Sequence, residues 1–168
     1  RMKNATKTVR IGLVGKYVEL PDAYKSINES LFQAATYNDR KLDLQYIHSE
    51  KLNSGNVDAM LSSLDGVLIA PGFGQRGIEG KFIALKYARE HDIPTFGVCL
   101  GMQCMVIEYA RDVLGYTDAN STEMDVTTKH NVIDLMEEQK SITNMGGTMR
   151  LGAYDCILAE DSIAAKAY

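Results

Sequence analysis

The run Gly66-Val67-Leu68-Ile69-Ala70 is apolar at almost every position. A strand of this kind has no polar face to offer water, so it belongs in a parallel sheet covered by helices on both sides. The rest of the chain agrees with that reading. Strands are expected over residues 9–15, 42–47, 66–70 and 94–98. Helical spacing is expected over 23–37, 57–64, 78–91 and 102–114. In the first helix Ile27, Leu31 and Ala34 share one face and Asp22 is the expected N-cap; Asn56 is the expected cap of the second. Strands that alternate with helices give an α/β three-layer fold, a mainly parallel, flavodoxin-like sheet with right-handed crossovers. In such a fold the functional groups lie beyond the carboxyl ends of the strands. After Asp118 the pattern loosens. Further strands are expected over 132–136 and 152–158, while 145–152 holds too many glycines for a plain element.

Two loops at consecutive strand ends are rich in chemistry, and they should face one cleft. The first is Pro71-Gly72-Phe73-Gly74-Gln75-Arg76-Gly77. The second is Gly97-Val98-Cys99-Leu100-Gly101-Met102-Gln103. The second takes an apolar strand straight into a helix, with a thiol on the turn and glycine two residues to either side. That is the pattern of a nucleophile elbow, where the chain passes so close to itself that larger side chains would collide. The helix behind Cys99 aims its positive end at the sulfur and favours the thiolate. A thiolate so placed attacks a carbonyl and forms an acyl intermediate. The oxyanion that develops needs donors in place beforehand, and the backbone N–H groups of Gly72 and Leu100 are the candidates.

A base is harder to find. His48 ends a strand in a polar stretch, His91 ends a helix where a cation favours the dipole, and His130 lies in a surface loop; each reads as solvated or capping. Cys99 on type alone would be an inert buried thiol, and the flanking glycines reverse that. Cys104 and Cys156 read as core residues. The loop at 71–74 lacks the glycine spacing of a Walker or Rossmann phosphate cradle. Arg150 either binds an anion or pairs with a nearby carboxylate.

Composition excludes several classes. The chain has 168 residues, of which 45% are hydrophobic and 24% charged, with a formal net charge of −4. This length suits one domain. The charge gives no basic face for nucleic acid or anionic membrane, and no apolar run approaches the roughly 20 residues of a membrane span. No internal repeat and no signal peptide are visible. Residues 1–8 read as a polar, basic linker. Three cysteines at uneven spacing do not make a disulfide framework and point to a reducing, cytoplasmic compartment. No histidine cluster accompanies Cys99 and Cys104, so no metal site is expected.

The segment Gly97–Gln103 resembles the nucleophile motif of the triad-type, class I glutamine amidotransferases. The stretches 15–26, 71–80, 120–125 and 146–152 narrow the resemblance to the glutaminase domain of the CTP synthase family; it runs from about Lys7 to the end, and residues 9–168 are expected to form the amidotransferase domain. The resemblance implies that Cys99 is the nucleophile that releases ammonia from glutamine. It also implies that Gly72, Leu100, Gly101, Met102, Gln103 and Glu123 form the oxyanion and glutamine site. Residues 16–26 resemble a lid over that site. Arg76, Gly77 and Glu79 match the loop this family links to allosteric activation by GTP. The family's ligase domain uses ATP and Mg²⁺ to aminate UTP to CTP in a homotetramer, with ammonia passing through an internal tunnel. On this resemblance the ligase domain is expected ahead of Arg1. The family's His and Glu partners, and an arginine that helps bind glutamine, are expected beyond Tyr168, so residues 1–168 alone are expected to be inactive.

One departure from the family pattern stands at the first loop. Pro71 occupies a position where the family has glycine; proline donates no N–H, which leaves that contact to Gly72. Two other functions fit the residues. One is a cysteine hydrolase of another elbow family, acting on esters or γ-glutamyl peptides. The other is a non-catalytic segment that serves assembly.

Overall fold

A computed structural model describes residues 5–20, 22–140 and 153–167. The chain divides into two compact units, Arg1–Asp134 and Leu135–Tyr168. In the first unit four strands form one sheet in the order β2-β1-β3-β4: β1 (Lys7–Gly15), β2 (Arg40–His48), β3 (Gly66–Ile69) and β4 (Thr95–Gly97). All neighbours are parallel. β1 starts two residues earlier than expected, because Lys7 and Thr8 pair with Arg40 and Lys41.

Side chains alternate between the faces of this sheet. Val14, Ile47, Val67 and Ile69 pack on one side with α2 (Val57–Leu61), α3 (Ile78–Glu90) and α4 (Leu100–Asp112). Leu13, Leu44 and Leu68 pack on the other with Ile27 and Leu31 of α1 (Lys25–Tyr37). The strand that is apolar throughout, β3, is buried at all four positions, as a strand covered on both faces must be.

Local capping differs from expectation. The N-cap of α1 is Tyr24 rather than Asp22, with no side-chain cap bond. The Tyr24 hydroxyl instead accepts from the Tyr17 N–H at 3.2 Å and so braces the turn that leads out of β1. Asn56 does precede α2, but its Oδ1 accepts from Asn53 N–H at 2.8 Å and leaves the helix amides alone. α2 closes at Leu61, three residues short of the expected end.

A short parallel pair, β5 (Asn120–Ser121) with β6 (Asn131–Ile133), packs on α4. The strand expected over 132–136 therefore begins and ends earlier. In the second unit the described elements are α5 (Glu137–Lys140) and α6 (Ile163–Ala167). The glycine-rich stretch 145–152, with Arg150, lies outside the described residues. Residues 153–158 form no strand, and Cys156 is exposed rather than core. No neighbouring strand is there to pair with it among the described residues, so its apolar character has nothing to pack into. No helix among the described residues is long and apolar enough to cross a membrane.

Candidate active site

Cys99 stands exposed between the end of β4 and the first residue of α4, at φ 54° and ψ −113°. Positive φ is uncommon outside glycine and costs on the order of 1–3 kcal/mol, so it persists only where the surroundings enforce it. Here they do. A Cβ on Gly97 would lie 2.6 Å from both the Gly101 carbonyl carbon and the Met102 nitrogen; one on Gly101 would lie 2.1 Å from the Ile69 oxygen. The two glycines let α4 start directly against β3 and β4. Backbone bonds complete the turn. Val98 N–H donates to Ile69 O at 3.1 Å, Gly101 N–H to Val98 O at 2.9 Å and Gln103 N–H to Cys99 O at 3.2 Å. Among the described residues the Leu100 N–H has no acceptor. It is one of the amides that a helix start leaves unused.

The loop after β3 comes up against this turn. A Cβ placed on Gly72 would meet Leu100 Cδ2 at 3.7 Å, Lys16 Cε at 3.6 Å and Lys81 Nζ at 3.9 Å. The two loops therefore come together at the carboxyl end of the sheet, with Gly72 beside the helix start that follows Cys99. Two lysines support the loop from beneath. Lys81, in the first turn of α3, donates to Ala70 O at 2.7 Å. Lys16, directly after β1, donates to Phe73 O. Both are buried, at 1% and 8% exposure.

Sequence reasoning missed this pair. The available signal was positional: Lys81 falls in the apolar series Ile78, Lys81, Phe82 and Leu85 on the inner face of α3. Burial pulls the Lys81 ammonium below its ordinary value, and the neighbouring Cys104 and Cys99 oppose that pull.

The other expected residues fall as follows. Gly101 is buried under Ile69 and Met102 is exposed at the mouth of the turn. Gln103 lies in the first turn of α4, and Glu123 is exposed in the turn after β5. Neither side chain has a hydrogen-bond partner among the described residues, which leaves an amide and a carboxylate free for a ligand. Arg76 is held by Glu50 at 3.1 Å and lies over the Tyr17 ring at 5.9 Å. Gly77 is the left-handed N-cap of α3, and Glu79 follows in its first turn. Cys104, one helical turn beyond Cys99, is fully buried, and burial pushes its thiol up to about 11, so it stays protonated and inert.

Each histidine is engaged elsewhere. His48 Nδ1 accepts from Glu50 N–H at 3.3 Å. His91 closes α3, with Nδ1 2.8 Å from Tyr87 O and its ring stacked on Tyr87. His130 pairs with Asp118 at 2.6 Å and stacks on Tyr116. Tyr116 N–H is bonded to Ala110 O in the last turn of α4. That turn is roughly 15 Å of helix rise from Cys99.

Comparison with known proteins agrees with the fold. Residues 19–167 match the family "Glutamine amidotransferase class-I", and the chain belongs to that family. Its fold is the class I amidotransferase fold, a parallel sheet flanked by helices. Within the family it is similar to the CTP synthases. It is 70% identical over its full length to the CTP synthase of Bacteroides fragilis. It is 66% identical, over 98% of its length, to that of Porphyromonas gingivalis. The chain spans only 32% and 30% of those two proteins. A solved structure of the Trypanosoma brucei CTPS glutaminase domain with bound acivicin overlays with a TM-score of 0.72 at 41% identity. That match covers 77% of this chain and 51% of the other.

Proposed function

We propose that this chain is the glutamine-hydrolysing part of a CTP synthase and that Cys99 is its nucleophile. The observation that carries the reading is the exposed thiol at positive φ, at the start of α4, directly before Leu100, whose side chain lies against Gly72. Sγ attacks the side-chain amide carbon of glutamine, a C–S bond forms, and the carbonyl electrons move onto oxygen. The N–H groups of Gly72 and Leu100 hold that oxyanion. Its collapse breaks the C–N bond; the thiol proton, carried by a base, leaves with the nitrogen as ammonia. Water then cleaves the thioester and releases glutamate and the free thiol. His48, His91 and His130 make their contacts with Glu50, Tyr87 and Asp118, away from the Cys99 turn, and the base is assigned to none of them. Glu123 suits the α-ammonium of glutamine and Gln103 its carboxylate.

In the whole enzyme the ammonia serves an ATP- and Mg²⁺-dependent ligase domain that aminates UTP to CTP, in a cytoplasmic homotetramer. No residue of this chain is assigned to ATP or Mg²⁺. GTP acts as activator at the loop of Arg76, Gly77 and Glu79. The exposed guanidinium of Arg76 beside the Tyr17 ring offers the charge and the stacking face that a nucleotide uses.

The test is Cys99→Ala in the full-length protein. Glutamine-dependent CTP formation should fall on the order of a thousandfold or more, while formation from free ammonia persists. Normal glutamine hydrolysis by this variant would refute the reading.

A further inference from the structure

Lysine is almost never fully buried without a partner, since its charge is costly to remove from water. Here two lysines are buried within reach of one glycine, Gly72. Among the described residues neither has a carboxylate within ion-pair distance. Each spends its ammonium on a main-chain carbonyl of one loop: Lys81 on Ala70 O and Lys16 on Phe73 O. Those two carbonyls bracket Pro71 and Gly72.

We propose that Lys16 and Lys81 are a positioning pair for the oxyanion loop, drawing its carbonyls inward and placing positive charge beside Gly72, close to the helix start that follows Cys99. The inference rests on the reading of Cys99 as nucleophile and goes beyond it. A carbonyl that faced the cleft would repel the oxyanion that forms there; each lysine removes one. In a planar trans peptide C=O and N–H point in opposite directions, so holding Phe73 O inward turns the Gly74 N–H outward. Pro71 contributes no N–H, so the loop depends on Gly72 and needs it held in place. Desolvation by burial depresses Lys81, and repulsion from the neighbouring Lys16 ammonium adds a lesser pull in the same direction. An anion that develops in front of Gly72 relieves the repulsion, so the pair favours the tetrahedral intermediate over bound glutamine. That preference for the transition state appears in kcat and leaves KM little changed.

The experiment is steady-state glutaminase kinetics on the full-length protein and its Lys81→Met, Lys16→Met and Cys99→Ala variants, with a thermal melt of each. Methionine keeps most of the volume and removes the charge. Replacement of a buried, unpaired charge by an apolar group should leave the Tm of Lys81→Met equal or higher. Both lysine variants should lose at least about tenfold in kcat for glutamine hydrolysis, with KM changed less than about threefold. Wild-type kcat in either well-folded variant, or a loss that appears in KM alone, would overturn the proposal. If Lys81→Met does not fold, Lys16→Met decides by the same criterion. Cys99→Ala separates the two levels. Should it still hydrolyse glutamine, the nucleophile reading has failed; should it be dead while the lysine variants keep full kcat, only the positioning pair has failed.

Discussion

The turn that carries Cys99 and the loop that faces it are held in opposite ways. The turn is held by exclusion: Gly97 and Gly101 are the only side chains small enough, and main-chain bonds fill the space between them. The loop from Ala70 to Phe73 is held by attraction, through two ammonium groups on its carbonyls. A nucleophile has to be rigid and exposed, which tight backbone packing achieves without any polar side chain. A donor loop must have its carbonyls turned away, and only a buried donor can do that.

The largest effect that would break this contrast is steric. Gly101→Ala places a methyl 2.1 Å from the Ile69 oxygen, which is main chain and cannot step aside. Stability should fall by about 3 kcal/mol or more, read from a denaturant midpoint. A normal midpoint would mean that α4 can move off β3 and that the elbow is not enforced.

A second, smaller effect separates paired from unpaired buried charge. Glu108 is buried and held by Arg89 at 2.7 Å, which ties α3 to α4. Arg89→Met strands that carboxylate and should cost about 2 kcal/mol, less than a fully buried pair because the guanidinium is a third exposed. Parallel chemical melts of Arg89→Met and Lys81→Met should thus diverge, the first falling and the second not. Equal losses would show that the lysines are ordinary structural charges.

The smallest effect tests the strain at Cys99 itself. Both Cys99→Gly and Cys99→Ala remove the thiol, but only glycine is at ease at φ 54°. Cys99→Gly should be more stable than Cys99→Ala by about 1 kcal/mol, measured by equilibrium unfolding. The reverse order would mean that the turn carries no strain.

Much of this fold was legible in the sequence, because its signals are local. The apolar runs marked β1, β3 and β4 to within two residues at each end. The glycine spacing about Cys99 marked the turn, since the collision avoided at Gly97 lies within five residues, although the one avoided at Gly101 is with the distant Ile69 oxygen. What was not legible depends on residues far apart in the chain. Lys81 reads as one more charge on a helix until the Ala70 carbonyl, eleven residues earlier, is seen beneath it. Tyr24 falls inside the helix expected over 23–37, and its cap position goes with the Gly15 and Tyr17 backbone that its hydroxyl meets. Cys156 reads as a core residue because its neighbours are apolar, but apolar neighbours make a strand only when another strand pairs with them.

The central claim, that the Cys99 thiol is the atom that glutamine meets, is tested most directly by peptide mapping. The full-length protein is treated with an electrophilic glutamine analogue and its adduct located by mass spectrometry. The account predicts one adduct per chain, on Cys99, suppressed by excess glutamine, with Cys104 and Cys156 unlabelled. An adduct on another residue, or labelling of Cys99 that glutamine does not slow, would contradict it.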